Sequence, residues 1–135
     1  MILIDTNIFL ELLLGREKCE DCEKFLDTVS EGGIEAIVTR FSVHAVEVVL
    51  NDPNLILQFI RNIQNSLGLD IYDTSLEDEV AISMLMDKVK LDFDDALQYY
   101  VAKKFGVKAI VSYDKHFDNL DIIRKEPSDF IDSKK

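Results

Sequence analysis

Apolar residues along this chain fall into two kinds of pattern. Short unbroken runs stand at Ile2-Leu3-Ile4, between Ile34 and Val38 with Glu35 interrupting, and at Ala109-Ile110-Val111. Such runs suit strands covered on both faces, as in a parallel sheet. They predict strands over 2–4, 34–39 and 107–112. Leu69 to Asp73 alternates instead, which predicts a half-buried strand, and 121–124 reads as a last short one. Between the strands, apolar positions recur at helical spacing. Helices are expected at about 7–14, closed by Gly15, and at 18–30, where Phe25, Leu26 and Val29 carry the apolar face. A third covers 41–50 and stops before Asp52-Pro53, because proline disfavours helix in the residue before it. Leu55, Phe59, Ile63 and Leu67 at four-residue spacing mark an amphipathic helix over 54–67. Thr74 or Ser75 caps the next, which runs to about Lys90 with Glu77, Asp78 and Glu79 in its first turn, where the helix dipole favours negative charge. Asp94 is expected to cap one more helix that ends at Gly106, and 127–131 forms a terminal helical turn. Each strand is fed by a helical connection, so the fold class is α/β: three layers, α/β/α, around a central, mostly parallel sheet.

Composition narrows this reading. The chain has 135 residues and 47% hydrophobic content, enough to bury a core as one domain over 1–135. No basic leader with a long apolar stretch opens it, and no apolar run approaches the roughly 20 residues of a membrane span, so a cytoplasmic protein is expected. The net charge of -11 has the wrong sign for holding nucleic acid by bulk attraction to phosphate. The C-x-x-C at Cys19 and Cys22 is crowded by Glu17, Glu20, Asp21 and Glu23, whereas reactive thiolates are favoured by positive charge. A zinc site would need two more ligands, and only His44 and His116 are available. Both cysteines therefore read as ordinary helix residues.

The acids carry the candidate chemistry. In open parallel sheets, ligands sit just beyond the carboxyl ends of the strands. Asp5 ends the first strand, Asp114 follows the strand over 107–112, and helix starts near Arg40 and Asp94 belong to the same edge. Asp5 or Thr6 could equally serve as a helix cap. One acid of the Asp94-Asp95 pair suffices for capping, which leaves Asp95 available. Arg40, His44, Glu47 and Asn51 share a helical stripe: either a solvated face with a His44 to Glu47 contact, or a cleft lining that adds Glu47 to the acids. Carboxylates gathered without bases repel one another and gain proton affinity unless a cation neutralises them. Hard divalent ions take such oxygen ligands; they polarise a phosphate oxygen and activate water. A bound ion would also make the site positive on an acidic protein.

Asp5-Thr6-Asn7 after the first strand, Glu47 in the helix after the second, Asp95-Ala96-Leu97 opening a helix, and Ser112-Tyr113-Asp114-Lys115-His116-Phe117 after a further strand together resemble the successive motifs of the PIN domain. Pro127-Ser128-Asp129-Phe130 is similar to its usual end, so the resemblance spans nearly the whole chain. It implies a metal-dependent endoribonuclease using Mg2+ or Mn2+, often the toxin of a VapC-type toxin and antitoxin pair. Carried over by position, Asp5, Glu47, Asp95 and Asp114 match the acidic quartet and Asp118 a further metal-binding acid. Asn7 matches the polar residue that supports the first aspartate, and Ser112 stands where threonine is commoner and keeps the hydroxyl. The Asp94-Asp95 doublet leaves the third acid ambiguous, with Ala96-Leu97 favouring Asp95.

The expected reaction is cleavage of RNA phosphodiester bonds by metal-activated water. Asn7 and Ser112 orient the metal ligands, and Arg40 and Lys115 are candidate contacts to the RNA backbone. An antitoxin protein and a homodimer are the expected partners; the homodimer follows from the apolar helices between 54 and 90, which carry more surface than one small sheet covers. The alternative is a non-catalytic acidic metal-binding or receiver-like signalling module, which would need a lysine at a strand end. Lys108 begins its strand instead.

Overall fold

The computed structural model describes residues 1–131; the predicted domain's last residues, 132–135, lie outside them. Strands β1 (Ile2–Ile4), β2 (Ala36–Thr39), β3 (Leu69–Tyr72), β4 (Ile110–Val111) and β5 (Arg124–Lys125) form one sheet in the order β3-β2-β1-β4-β5. Every pairing is parallel, from Leu69 opposite Ala36 to Lys125 opposite Val111. The buried runs make the centre, and the alternating run, read as half-buried, lies at an edge. Among the described residues, six helices flank the sheet: α1 (Thr6–Leu13), α2 (Cys19–Ser30), α3 (Arg40–Leu50), α4 (Pro53–Gln64), α5 (Leu76–Val89) and α6 (Phe93–Phe105).

The two faces of the sheet bury different sets. Ile2, Ile4 and Val38 pack with Ile8, Phe25, Val29, Val46 and Phe59 from α1 to α4. Leu3, Ile37 and Ile110 pack with Ile82, Leu97 and Val101 from α5 and α6 and with Phe117. Alternate residues of β1 thus enter opposite cores, which is why its unbroken apolar run is required.

Local chemistry sets the helix starts. Thr39 accepts the Ser42 amide at 3.1 Å, Asp52 caps α4 with Pro53 behind it, and Ser75 and Asp78 form a reciprocal capping box. The cap of α6 is Asp92 and not Asp94. Its extended backbone lets its carboxylate accept the Asp95 amide at 3.1 Å, so the helix begins at Phe93. Asp94 and Asp95 therefore both fall in the first turn.

Strand limits differ from the sequence pattern at the far edge. Regular pairing in β4 is confined to Ile110–Val111, and β5 lies at 124–125 instead of 121–124. The ladder pairs Arg124 with Ile110, and the Arg124 guanidinium donates to the Ser112 carbonyl at 3.0 Å. That contact ties β5 to the end of β4, directly beneath the candidate site. Among the described residues, no helix is long and apolar enough to cross a membrane.

Candidate active site

The carboxyl ends of β1 and β4 are neighbours, and each delivers an aspartate. Asp5 is 4% exposed and its carboxylate accepts from three donors. Ser112 Oγ donates to its Oδ2 at 2.7 Å, Asn7 Nδ2 to the same oxygen at 3.3 Å, and the Thr6 amide to its Oδ1 at 2.8 Å. Ser112 is fully buried and also accepts the Asp114 amide at 2.9 Å, while Asn7 Oδ1 accepts the Tyr113 amide at 3.3 Å. One hydroxyl and one amide side chain therefore lock Asp5 to the segment that carries Asp114. Asp5 caps α1 and also faces the acids; the two roles are compatible.

Asp95 comes from the first turn of α6. Its Oδ2 lies 3.1 Å from His116 Nδ1, and Asp114 Oδ1 lies 3.0 Å from the same nitrogen. Asp95, Asp114 and His116 thus offer donor atoms within 4.8 Å of one another. His116 sits in the 3₁₀ turn Lys115–Asn119, which Asp114 caps through the His116 amide at 2.9 Å. Phe117, fully buried in the next position, anchors that turn to the α6 side of the sheet.

The electrostatics are those of crowded acids. Burial pushes the Asp5 carboxyl up to about 6, partly offset by the Ser112 and Thr6 hydrogen bonds and reinforced by the charges of Asp94 and Asp114. Asp95 is pushed to about 7 by burial, against the His116 contact, with Asp114, Asp92 and Asp5 adding to the rise. Asp94 is raised too, mainly by burial, and its Oδ1 is buried with no hydrogen-bond partner. His116 is raised by Asp95 and Asp114. An orphaned carboxylate oxygen beside acids held against ionisation fits a divalent cation, which would neutralise them and supply the missing contact.

This predicts an unusual stability profile for the cation-free protein. A carboxyl raised from 3.8 to about 6 binds its proton more tightly when folded. Its contribution is fully present below the unfolded value of 3.8 and is lost progressively as pH rises from there through about 6. Raised Asp95 acts in the same direction. In chelator, urea denaturation should show the protein about 2 kcal/mol less stable at pH 8 than at pH 5. Saturating Mn2+ at pH 8 should recover that loss by binding the folded state. A cation-free protein more stable at pH 8 than at pH 5 would contradict the burial of these acids.

Other sequence candidates lie elsewhere. Glu47 does not join Asp5, Asp95 and Asp114. Its carboxylate pairs with His44 Nδ1 at 2.9 Å, and it lines a separate recess with Arg40, Val43, Ile60 and Ile71, between α3, α4 and β3. The reason is helical phase. Ser42 is the α3 residue turned toward the site, accepting from Thr6 Oγ1 at 2.8 Å and from Gln98 Nε2 at 2.9 Å, and Glu47, five positions on, falls more than a third of a turn away. Arg40 shares the outer stripe, its Nε 3.3 Å from His44 Nε2. Asp118 is held by Arg124 at 2.7 Å, which lowers its pKa, so it faces a guanidinium and not the acids. Lys115 is exposed in the turn beside Asp114. Cys19 and Cys22 are both free; Cys22 is buried against Tyr113 Oη at 3.5 Å, and burial raises its thiol.

Sequence reasoning missed two contributors and left a third open. His116 was weighed as a zinc partner for the cysteines and stood in the last motif without a role, although its place two residues after Asp114 in one turn was a usable signal. Asp94 was read as the cap, with the Asp94-Asp95 doublet leaving it open as the third acid. Gln98, fully buried and bonded to Thr39 and Ser42, gave no signal, because its neighbours come from elements more than fifty positions away.

The family model of the PIN domain matches residues 2–123. The chain belongs to the PIN domain family. A VapC ribonuclease of Aquifex aeolicus (strain VF5) is 29% identical to this PIN domain over 134 residues, covering 89% of this chain and 92% of that protein. Solved structures share the fold at lower identity. Mycobacterium tuberculosis VapC20, a sarcin-ricin loop cleaving toxin, superposes with a TM-score of 0.77 at 15% identity, over 94% of this chain and 100% of that one. A toxin-antitoxin complex from Klebsiella pneumoniae gives 0.74 at 16% identity, over 94% of this chain and 98% of that one. VapBC2 from Rickettsia felis, bound to a DNA fragment from its promoter, gives 0.67 at 14% identity, over 93% and 98% respectively. The three-layer architecture around a parallel sheet is thus common to this PIN domain and these toxins.

Proposed function

We propose that this PIN domain is a metal-dependent endoribonuclease acting as the toxin of a toxin-antitoxin pair. The observation that carries the reading is the meeting of Asp5, Asp95 and Asp114 at one sheet edge, with Asp5 and Asp95 raised by burial. In this reading Asp95 and Asp114 hold the cation directly, Asp5 completes its charge balance, and Asp94 is a further donor from the same helical turn. A Mg2+ or Mn2+ ion bound there supplies a polarised phosphate oxygen and an activated water. The chain's own contribution is positioning. Ser112 and Asn7 fix the Asp5 carboxylate, Phe117 fixes the turn that carries Asp114, and exposed Lys115 stands where it can meet a backbone phosphate. The net charge of -11 then restrains binding to RNA that engages the cation itself.

The relatives suggest the partners. An antitoxin segment bearing a cationic side chain complements the acidic edge. Leu76, Val80 and Met84, exposed along α5, offer an apolar face for a second copy of this chain. The enzymatic reading is tested by incubating the purified protein with single-stranded RNA. Cleavage is expected with Mg2+ or Mn2+ and is expected to stop with a chelator; cleavage that persists in chelator would overturn it.

A further inference from the structure

An imidazole stands among the acids of this site, and its placement is specific. His116 is 71% exposed at its side chain, so packing does not hold the ring; Asp95 and Asp114 do. Its backbone is fixed on both sides, by the Asp114 cap on its own amide and by buried Phe117 next to it. Nδ1 is 3.1 Å from Asp95 Oδ2 and 3.0 Å from Asp114 Oδ1. Adjacent donors about 2.1 Å from one octahedral ion stand about 3.0 Å apart, so both separations have the length of a coordination edge. The opposite stripe shows the contrast: His44 faces a single acid, Glu47, with Arg40 on its other nitrogen.

We propose that His116 Nδ1 is a direct ligand of the catalytic cation, giving the site a mixed nitrogen and oxygen donor set that favours Mn2+ over Mg2+. This rests on the nuclease reading of the same site. Because Glu47 is turned away, α3 contributes no acid to this group, and His116 supplies a neutral donor from the 3₁₀ turn after β4. Carboxylates and water suit Mg2+ and Mn2+ alike, whereas an imidazole nitrogen is a softer donor that a transition-metal ion such as Mn2+ accepts more readily than hard, oxygen-seeking Mg2+. A neutral ligand also adds a bond to the ion without adding to the repulsion among Asp5, Asp94, Asp95 and Asp114.

The test uses Mn2+ alone as the probe, with pulsed electron paramagnetic resonance to detect nitrogen bound to the ion and calorimetry to measure affinity. The chain has two histidines, so the signal is assignable. Nitrogen modulation is expected in the wild type and in His44→Ala and should vanish in His116→Ala, whose Mn2+ affinity should fall about tenfold. Mg2+ affinity, read by competition, should change less than about twofold. Mn2+ bound without a nitrogen signal and lost in Asp95→Asn would overturn the His116 assignment and leave the metal site standing. Failure of the wild type to bind Mn2+ would overturn both.

Discussion

Asp95→Asn and Asp114→Asn should each lower the rate of RNA cleavage by about 10³-fold, whereas Glu47→Gln should stay within about threefold of the parent. Removing one preorganised contact to charge that develops during reaction costs about 3 to 4 kcal/mol, and loss of a metal ligand is of that size. The Glu47 carboxylate is bonded to His44 on the outer stripe of α3 and contributes to neither effect. Folding is separable from chemistry in this comparison. Asparagine at 95 removes an acid that burial already holds against ionisation, so the cation-free variant should be at least as stable as the parent at pH 8. Equal losses from Glu47→Gln and Asp95→Asn would mean that α3 reaches the site in solution and that the geometry described for it does not hold.

Phe117→Ala should cost about 3 to 5 kcal/mol of stability, which for a chain of this size lowers Tm by roughly 10 °C or more. The ring is fully buried among Leu3, Leu97, Val101 and Ile110, on the face opposite α1 to α4. A cavity there removes the fully buried side chain of the turn that presents Asp114 and His116. Mn2+ affinity should therefore fall along with stability. Phe117→Leu, which keeps most of the volume, should lose less than about 1.5 kcal/mol and retain cation binding. A full loss of cation binding in the leucine variant at unchanged Tm would mean the ring acts on the site other than through packing.

Much of this molecule is legible in its sequence. Unbroken apolar runs placed the central strands, and the alternating run from Leu69 to Asp73 marked a half-buried one. Where the reading slipped, a tertiary contact outweighed a local preference. Asp94 is as good a cap as Asp92 on residue type, but the extended backbone at Asp92 decides which carboxylate meets the Asp95 amide. The run at 121–124 is the more apolar, yet pairing falls on Arg124 and Lys125, where the guanidinium reaches the Ser112 carbonyl. The stripe through Arg40, His44 and Glu47 was legible as a stripe; its direction was not, because helical periodicity says which residues share a face and nothing about what that face meets.

Sequence alone determined the strand ends that carry Asp5 and Asp114 and the presence of a helix opening near Asp95, though not its cap, since burial patterns and turn chemistry act over a few residues. It also determined the family, through motifs in order along the chain. Tertiary structure decided which acids meet. Ser112 and Asn7 join Asp5 to the Asp114 segment across more than a hundred positions, and buried Ser42 orients α3 so that Glu47 faces the recess beside α4 and β3. Those contacts depend on the relative rotation of packed elements, a quantity that no local pattern encodes.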